Sequence, residues 1–155
     1  MYPRILVPID GSPAAQRGLD EALALAQRLG STLRLLNVVD ARMLIAEVSP
    51  HAPPDQLLAQ WTAAGEALVA QAAERARALG VAADAAVRCD PGLRVADLIL
   101  KEAGDCGAAL VVMGTHGRRG LRRLALGSDA EMVLRASAVP VLLVRDASEE
   151  VRPGS

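Results

Sequence analysis

Short runs of consecutive apolar residues alternate along the chain with longer stretches in which apolar residues recur every three or four positions. The first run, Arg4-Ile5-Leu6-Val7-Pro8-Ile9, is almost continuously apolar and predicts a strand buried on both faces. Pro8 has no N–H for a ladder, so that strand is expected to finish there. Ser12-Pro13 supplies a helix N-cap and a first-position proline. Leu19, Ala22, Leu23, Ala26 and Leu29 follow at helical spacing, and Gly30 closes the pattern. Thr32 to Val39 predicts a second buried strand. Asp40 to Pro54 holds three prolines and reads as a long loop, a lid or a crossing, in which Met43, Leu44 and Ile45 form a short helix or a sticky flap. Asp55 to Leu79 is a long helical pattern with Leu57, Leu58, Trp61, Leu68 and Ala72 on one side, ended by Gly80.

The second half repeats the alternation. Ala82 to Cys89 predicts a weaker third strand, and Asp90-Pro91 repeats the cap-plus-proline signal before a short helix carrying Val95, Leu98 and Ile99, stopped by Gly104. Ala108 to Met113 predicts a strong buried strand. Ser128-Asp129-Ala130-Glu131 reads as a capping box, with Ser at the N-cap and Glu three residues on, opening the last helix. Pro140 to Val144 predicts the last strand, and a polar tail follows. Strands and helices in strict alternation imply a doubly wound parallel sheet with helices on both faces. Residues 1–146 are expected to form one domain and 147–155 the tail. In such sheets ligands bind beyond the carboxyl ends of the strands, where the strand order reverses. With the first and fourth strands adjacent, that crevice is lined by Asp10 and by the chain from Gly114 onward.

Composition removes several function classes. A formal net charge of −1 gives no protein-wide basic field for nucleic acid, and one Trp, one Tyr and no Phe leave little to stack on bases. No run approaches the roughly 18 uninterrupted apolar residues of a membrane span. Cys89 and Cys106 form neither a CxxC pair nor a ligand cluster, and are expected to be buried free thiols in a reducing cytoplasm.

The chemistry concentrates in Met113-Gly114-Thr115-His116-Gly117 and Gly127-Ser128, a G-x2-G-x9-G-S pattern between a buried strand and a helix. Glycine lets a backbone approach a ligand closely, and a helix N-terminus favours an anion. Arg118, Arg119, Arg122 and Arg123 lie between the glycines, so the segment reads as a phosphate cradle or, in the plainer alternative, as a solvated Arg-rich turn. Ser128 serves as a cap, a phosphate ligand or both. Asp10 suits a ribose hydroxyl or an adenine amino group, or is a turn residue of Asp10-Gly11-Ser12. The chain has no Walker-type G-x-x-x-x-G-K-[ST] and no G-x-G-x-x-G after the first strand, which excludes those nucleotide machines. His51, in the proline-rich loop, and His116, in the glycine loop, either touch a ligand or, in the plainer alternative, are solvated histidines.

Together with Ile5-Leu6-Val7-Pro8-Ile9-Asp10-Gly11-Ser12, Leu36-Asn37-Val38-Val39-Asp40 and Val139-Pro140-Val141-Leu142-Leu143-Val144, the glycine pattern resembles the universal stress protein family from Arg4 to Arg145. The resemblance implies a Rossmann-like five-stranded parallel sheet of order 3-2-1-4-5 and an ATP site, with or without Mg²⁺. On that resemblance Pro8, Ile9 and Asp10 line the adenosine pocket and Val38 meets adenine through its backbone. Met113 and Gly114 run along the nucleotide, and Gly117, Gly127 and Ser128 bind phosphates. After Ser128, where many nucleotide-binding members carry small or apolar neutral residues, this chain has Asp129 and Ala130, also counted with the binding residues, and Asp129 is the departure. An acidic side chain suits the helix dipole but repels a triphosphate if it faces the site. The resemblance also implies a homodimer through the Val139–Val144 edge strand, which pairing would cover; in the plainer alternative the polar tail protects that edge. Three readings follow: a cytoplasmic ATP-binding stress-response protein acting as a nucleotide-dependent switch or chaperone-like regulator, a dimeric interaction module that binds no nucleotide, and a slow ATPase or nucleotide-processing enzyme.

Overall fold

A computed structural model describes residues 1–46, 53–117 and 126–146. The Asp10 end of the first apolar run is where its geometry matters most. Strand β1 (Arg4–Pro8) stops at the proline, as expected from its missing donor. Ser12 then caps helix α1 (Pro13–Leu29), its hydroxyl accepting the Ala15 N–H at 3.2 Å, and Gly30 closes that helix. The chain continues through β2 (Thr32–Val38), α2 (Ala41–Ala46), α3 (Pro54–Ala78), β3 (Ala83–Arg88), α4 (Val95–Asp105), β4 (Leu110–Gly114), α5 (Ser128–Ala136) and β5 (Val141–Val144). Among its described residues the loop-or-helix segment after β2 holds the short helix α2, with Leu44 buried and Ile45 exposed.

Among the described residues the strands form one parallel sheet in the order β3-β2-β1-β4-β5. Alternate residues of each strand serve opposite faces. Ile5, Val7, Leu33, Leu35 and Val112 pack with Leu19 and Leu23 of α1 and with Val69 and Ala72 of α3. Leu6, Leu36, Val111 and Met113 pack with Ala96 and Ile99 of α4 and with Ala130 and Val133 of α5. The sheet is therefore covered on both sides, which explains why its central strands carry unbroken apolar runs. Strands β1 and β4 are neighbours in space but not in sequence, with Ile5 opposite Leu110 and Leu6 opposite Val111. The strand order reverses between them, and this places the crevice at Asp10 and the residues after Gly114.

Four local expectations are corrected. Asp90-Pro91 does not open α4: the Asp90 carboxylate accepts the Gly92 N–H at 2.8 Å and makes a turn instead. The helix starts later, at Val95, where Asp97 reaches back to the Arg94 N–H at 3.1 Å. It also runs past Gly104, because the residue with a left-handed backbone is Gly107, at φ 66°. On α3 the buried residues are Gly65, Val69, Ala72 and Ala76, while Leu58 is exposed and Leu57, Trp61 and Leu68 are half-buried. The inward stripe lies along the C-terminal part of the helix, where it crosses β2 and β3. Cys89 is exposed rather than buried, because it follows the last residue of an edge strand, and Cys106 is half-buried.

Candidate functional site

Two turns meet at the crevice, and each is built by hydrogen bonds that start in the sheet. On the β1 side, the Ile9 N–H donates to the Leu36 carbonyl at 2.7 Å, and the Ile9 carbonyl accepts the Asn37 side-chain amide at 2.8 Å. Asp10 comes next, and its Oδ1 accepts the Ser12 N–H at 2.8 Å. Gly11 turns the chain at φ 82°. On the β4 side, the Thr115 N–H donates to the Val144 carbonyl at 3.0 Å, and the Thr115 carbonyl accepts the Gly127 N–H at 2.8 Å. Gly127 is thereby drawn beside the end of β4, so that the start of α5 faces the crevice.

The two turns touch. The Ser12 hydroxyl lies 3.5 Å from the His116 carbonyl, and a Cβ placed on Gly117 would stand 2.9 Å from Asp10 Oδ2. Asp10, Gly117 and Gly127, widely separated in sequence, are thus assembled around one point of the crevice. Pro8 and Val38 are half-buried at the ends of their strands. Ile9 and Met113 turn their side chains into the two cores, at 3% and 6% exposure, and so offer the crevice backbone rather than side chain.

Gly114 serves packing. A Cβ there would come within 2.6 Å of the Ala14 carbonyl carbon and 2.8 Å of the Ala15 nitrogen. Because those are backbone atoms of α1, Gly114→Ala is expected to destabilise the fold by about 2 kcal/mol, as overpacking does, read from a chemical denaturation curve.

The start of α5 differs from the expected capping box. Gly127, not Ser128, is the N-cap, and its carbonyl accepts the Glu131 N–H at 2.9 Å. Ser128 is already helical and exposed. The pull of Thr115 on the Gly127 N–H places the boundary one residue earlier than the Ser-to-Glu spacing suggests. The first-turn N–H groups of a helix have no acceptor inside it, so this end can receive an anion. Asp129 is half-buried in that turn, and the Ala130 side chain sits in the core at 2% exposure. Arg118, Arg119, Arg122, Arg123 and His51, and the polar tail 147–155, lie outside the described residues.

A sequence model of the universal stress protein family matches residues 1–145. The chain belongs to the universal stress protein family. Universal stress protein YxiE of Bacillus subtilis is 31% identical over 154 residues, covering 94% of this chain and 100% of its own. A universal stress protein family structure from Burkholderia pseudomallei is 32% identical with a TM-score of 0.76, covering 92% of this chain and 96% of that one. The structure of protein MJ0577 is 26% identical with a TM-score of 0.80, covering 94% and 96%. Two more distant universal stress protein structures share the fold. One is a complex with cAMP (22% identity, TM-score 0.69, covering 94% and 98%), and the other, from Archaeoglobus fulgidus, is a complex with dAMP (16%, 0.63, covering 93% and 98%).

In this universal stress protein the sequence pattern missed Asn37 and the Ser12 contact to the glycine loop. Asn37 carries a usable signal: an amide inside an apolar strand run must find a partner when buried. A separate cleft of about 190 Å³ lies at the end of β3, lined by Arg88, Cys89, Asp90, Leu93, Leu98, Lys101 and Glu102. Its cations are engaged, Arg88 by Glu102 and Lys101 by Asp105. Partial burial, then the charges of Asp90 and Asp40, push the Cys89 thiol up, away from a reactive thiolate. The crevice at Asp10 is the better candidate. Among the described residues no group of three or more His, Cys, Asp or Glu is placed to hold a metal, and no helix is long and apolar enough to cross a membrane.

Proposed function

We propose that the chain binds an adenine nucleotide, with ATP as the physiological ligand, in the crevice between β1 and β4, and acts as a nucleotide-dependent switch in a stress response. The observation that carries this is the meeting of Asp10 Oδ2 with Gly117 beside the N-terminus of α5. It puts a carboxylate acceptor and an anion-receiving backbone within one nucleotide's length. Asp10 accepts from the ribose or the adenine amino group, while Pro8, Ile9 and Val38 border the base. Met113 and Gly114 flank the nucleotide, and Gly117, Gly127 and Ser128 take the phosphates with the N–H groups of Asp129 and Ala130. Mg²⁺, when present, rides on the triphosphate and neutralises part of its charge. Related proteins that hold cAMP and dAMP support an adenine ligand. The reading is one of binding and signalling in the cytoplasm, by a homodimer paired through the Val139–Val144 edge strand. Asp129 favours a second reading, a dimeric interaction module without nucleotide, since its carboxylate stands in the helix turn the phosphates would use.

Titration calorimetry of nucleotide-stripped protein with ATP, with and without Mg²⁺, separates the two. Micromolar binding is expected, and at 100 times Kd it adds about 2.7 kcal/mol of stability, visible as a rise in Tm. No heat and no thermal shift up to millimolar ATP would remove the nucleotide switch and leave the interaction module.

A further inference from the structure

We infer that Asn37, together with the glycine it requires at position 65 of α3, is a positioning residue for the nucleoside half of the site; the inference rests on the nucleotide-binding reading above. Regular pairing of β1 with β2 ends where Pro8 lies opposite Leu36. Ile9 is the next residue, and both its backbone polar groups are tied to β2. Its N–H goes to the Leu36 carbonyl, and its carbonyl receives the Asn37 amide. The second tie exists only because residue 37 is an amide. An aliphatic side chain, which suits this 7% exposed position otherwise, would leave the Ile9 carbonyl without that donor immediately before Asp10.

Helix α3 supplies the independent observation. It approaches β2 so closely that a Cβ on Gly65 would lie 2.2 Å from Asn37 Oδ1 and 2.9 Å from its Cγ. A glycine in the interior of a 25-residue helix weakens that helix, and here it makes room for the carboxamide. One turn further on, the Leu68 methyls stand 3.6 and 3.7 Å from the Cβ position of Gly11. The same face of α3 therefore presses on the residue that holds Ile9 and lies beside the turn that follows Asp10. Asp10 comes between these two points, and its carboxylate is aimed by the Ser12 N–H. Hydrogen bonds to a ribose or an amino group depend on placement within fractions of an ångström. The phosphate end hangs on different elements, Gly117, Gly127 and α5, so the two halves separate experimentally.

Wild type, Asn37→Ala, Gly65→Ala and the double variant are titrated with adenosine, ATP and inorganic tripolyphosphate, with an unfolding curve for each. Asn37→Ala is expected to weaken adenosine and ATP about tenfold, a 1.4 kcal/mol change, and to leave tripolyphosphate unchanged. Gly65→Ala is expected to fold, because the atoms in its way, Oδ1 and Cγ, belong to a side-chain carboxamide that can rotate aside, and to show the same selective loss. In the Asn37→Ala background Gly65→Ala should add nothing, since the carboxamide it displaces is gone. If Asn37→Ala does not fold, the selective loss in Gly65→Ala carries the test. Folded variants that bind all three ligands as wild type does, or lose all three equally, overturn the assignment alone. A wild type that binds neither adenosine nor ATP overturns the nucleotide reading and this assignment with it.

Discussion

Gly117→Val is expected to abolish ATP binding, with a loss of about 100-fold or more, equivalent to ~2.7 kcal/mol, while the fold survives. The first Cβ atom already meets Asp10 Oδ2 at 2.9 Å, so the carboxylate must swing away from the point where it faces the glycine loop. The two further methyls of valine then fill the space through which a phosphate would approach backbone N–H groups. Both ends of the proposed nucleotide lose their contacts in one substitution. The fold survives because Gly117 is exposed and the obstructing atom ends a movable side chain. This distinguishes it from Gly114, where a Cβ meets the backbone of α1 and lost binding would follow from lost packing. Calorimetric titration with ATP, with a far-ultraviolet circular dichroism melt as control, makes the measurement. ATP binding equal to that of wild type would sink the phosphate-loop assignment.

Much of this arrangement is readable from the chain. The central strands announce themselves because both their faces are buried, so Ile5-Leu6-Val7 and Leu110-Val111-Val112 need no alternation to be found. Asp10 and the glycines could be assigned to one crevice because a parallel sheet with helical crossovers fixes which strand ends converge. What stayed hidden depends on contacts across the fold. The α5 boundary moved to Gly127 because Thr115, twelve residues earlier, holds its N–H. Asp90-Pro91 carries a helix-start signal, yet its carboxylate finds a nearer N–H in a turn. Gly65 looks like a flaw in a helix until Asn37, on a strand, is seen pressing against it. The charged residues of β1, β2, β3 and α4 likewise gave no hint of the network they form.

Glu102→Ala is expected to destabilise the protein by about 3 kcal/mol at neutral pH, near the low end for breaking a buried ion pair. Glu102 lies on α4 with its side chain only 3% exposed. Arg34 reaches it with Nε at 2.8 Å and Nη2 at 2.6 Å, and Arg88 donates from Nε at 2.8 Å. Arg34 also holds Asp84 at 2.9 Å, and Asp84 holds Arg4 at 2.6 Å. Charges therefore alternate from Arg4 through Asp84, Arg34 and Glu102 to Arg88 across the β1-β2-β3 side of the sheet. Removing Glu102 takes the buried carboxylate from two guanidinium groups, one of them largely out of water. The loss stays at the lower end because the Arg88 side chain is 46% exposed and Arg34 keeps Asp84. For a domain of this size that corresponds to a Tm lowered by about 6–12 °C. Burial alone would raise the Glu102 carboxyl, but hydrogen bonds from Arg88 and Arg34 outweigh it and hold the carboxyl below its ordinary value. A depressed carboxyl stabilises the fold at pH values above its unfolded pKa, near 4.3, and the contribution disappears as pH falls through the folded value. The stability gap between wild type and Glu102→Ala should accordingly be full at pH 7 and narrow progressively below about pH 4. Urea unfolding at pH 7, 5, 4 and 3 measures it. A gap that stays constant down to pH 3 would mean that the side chain stabilises by filling space, and that its charge, though flanked by two arginines, contributes nothing.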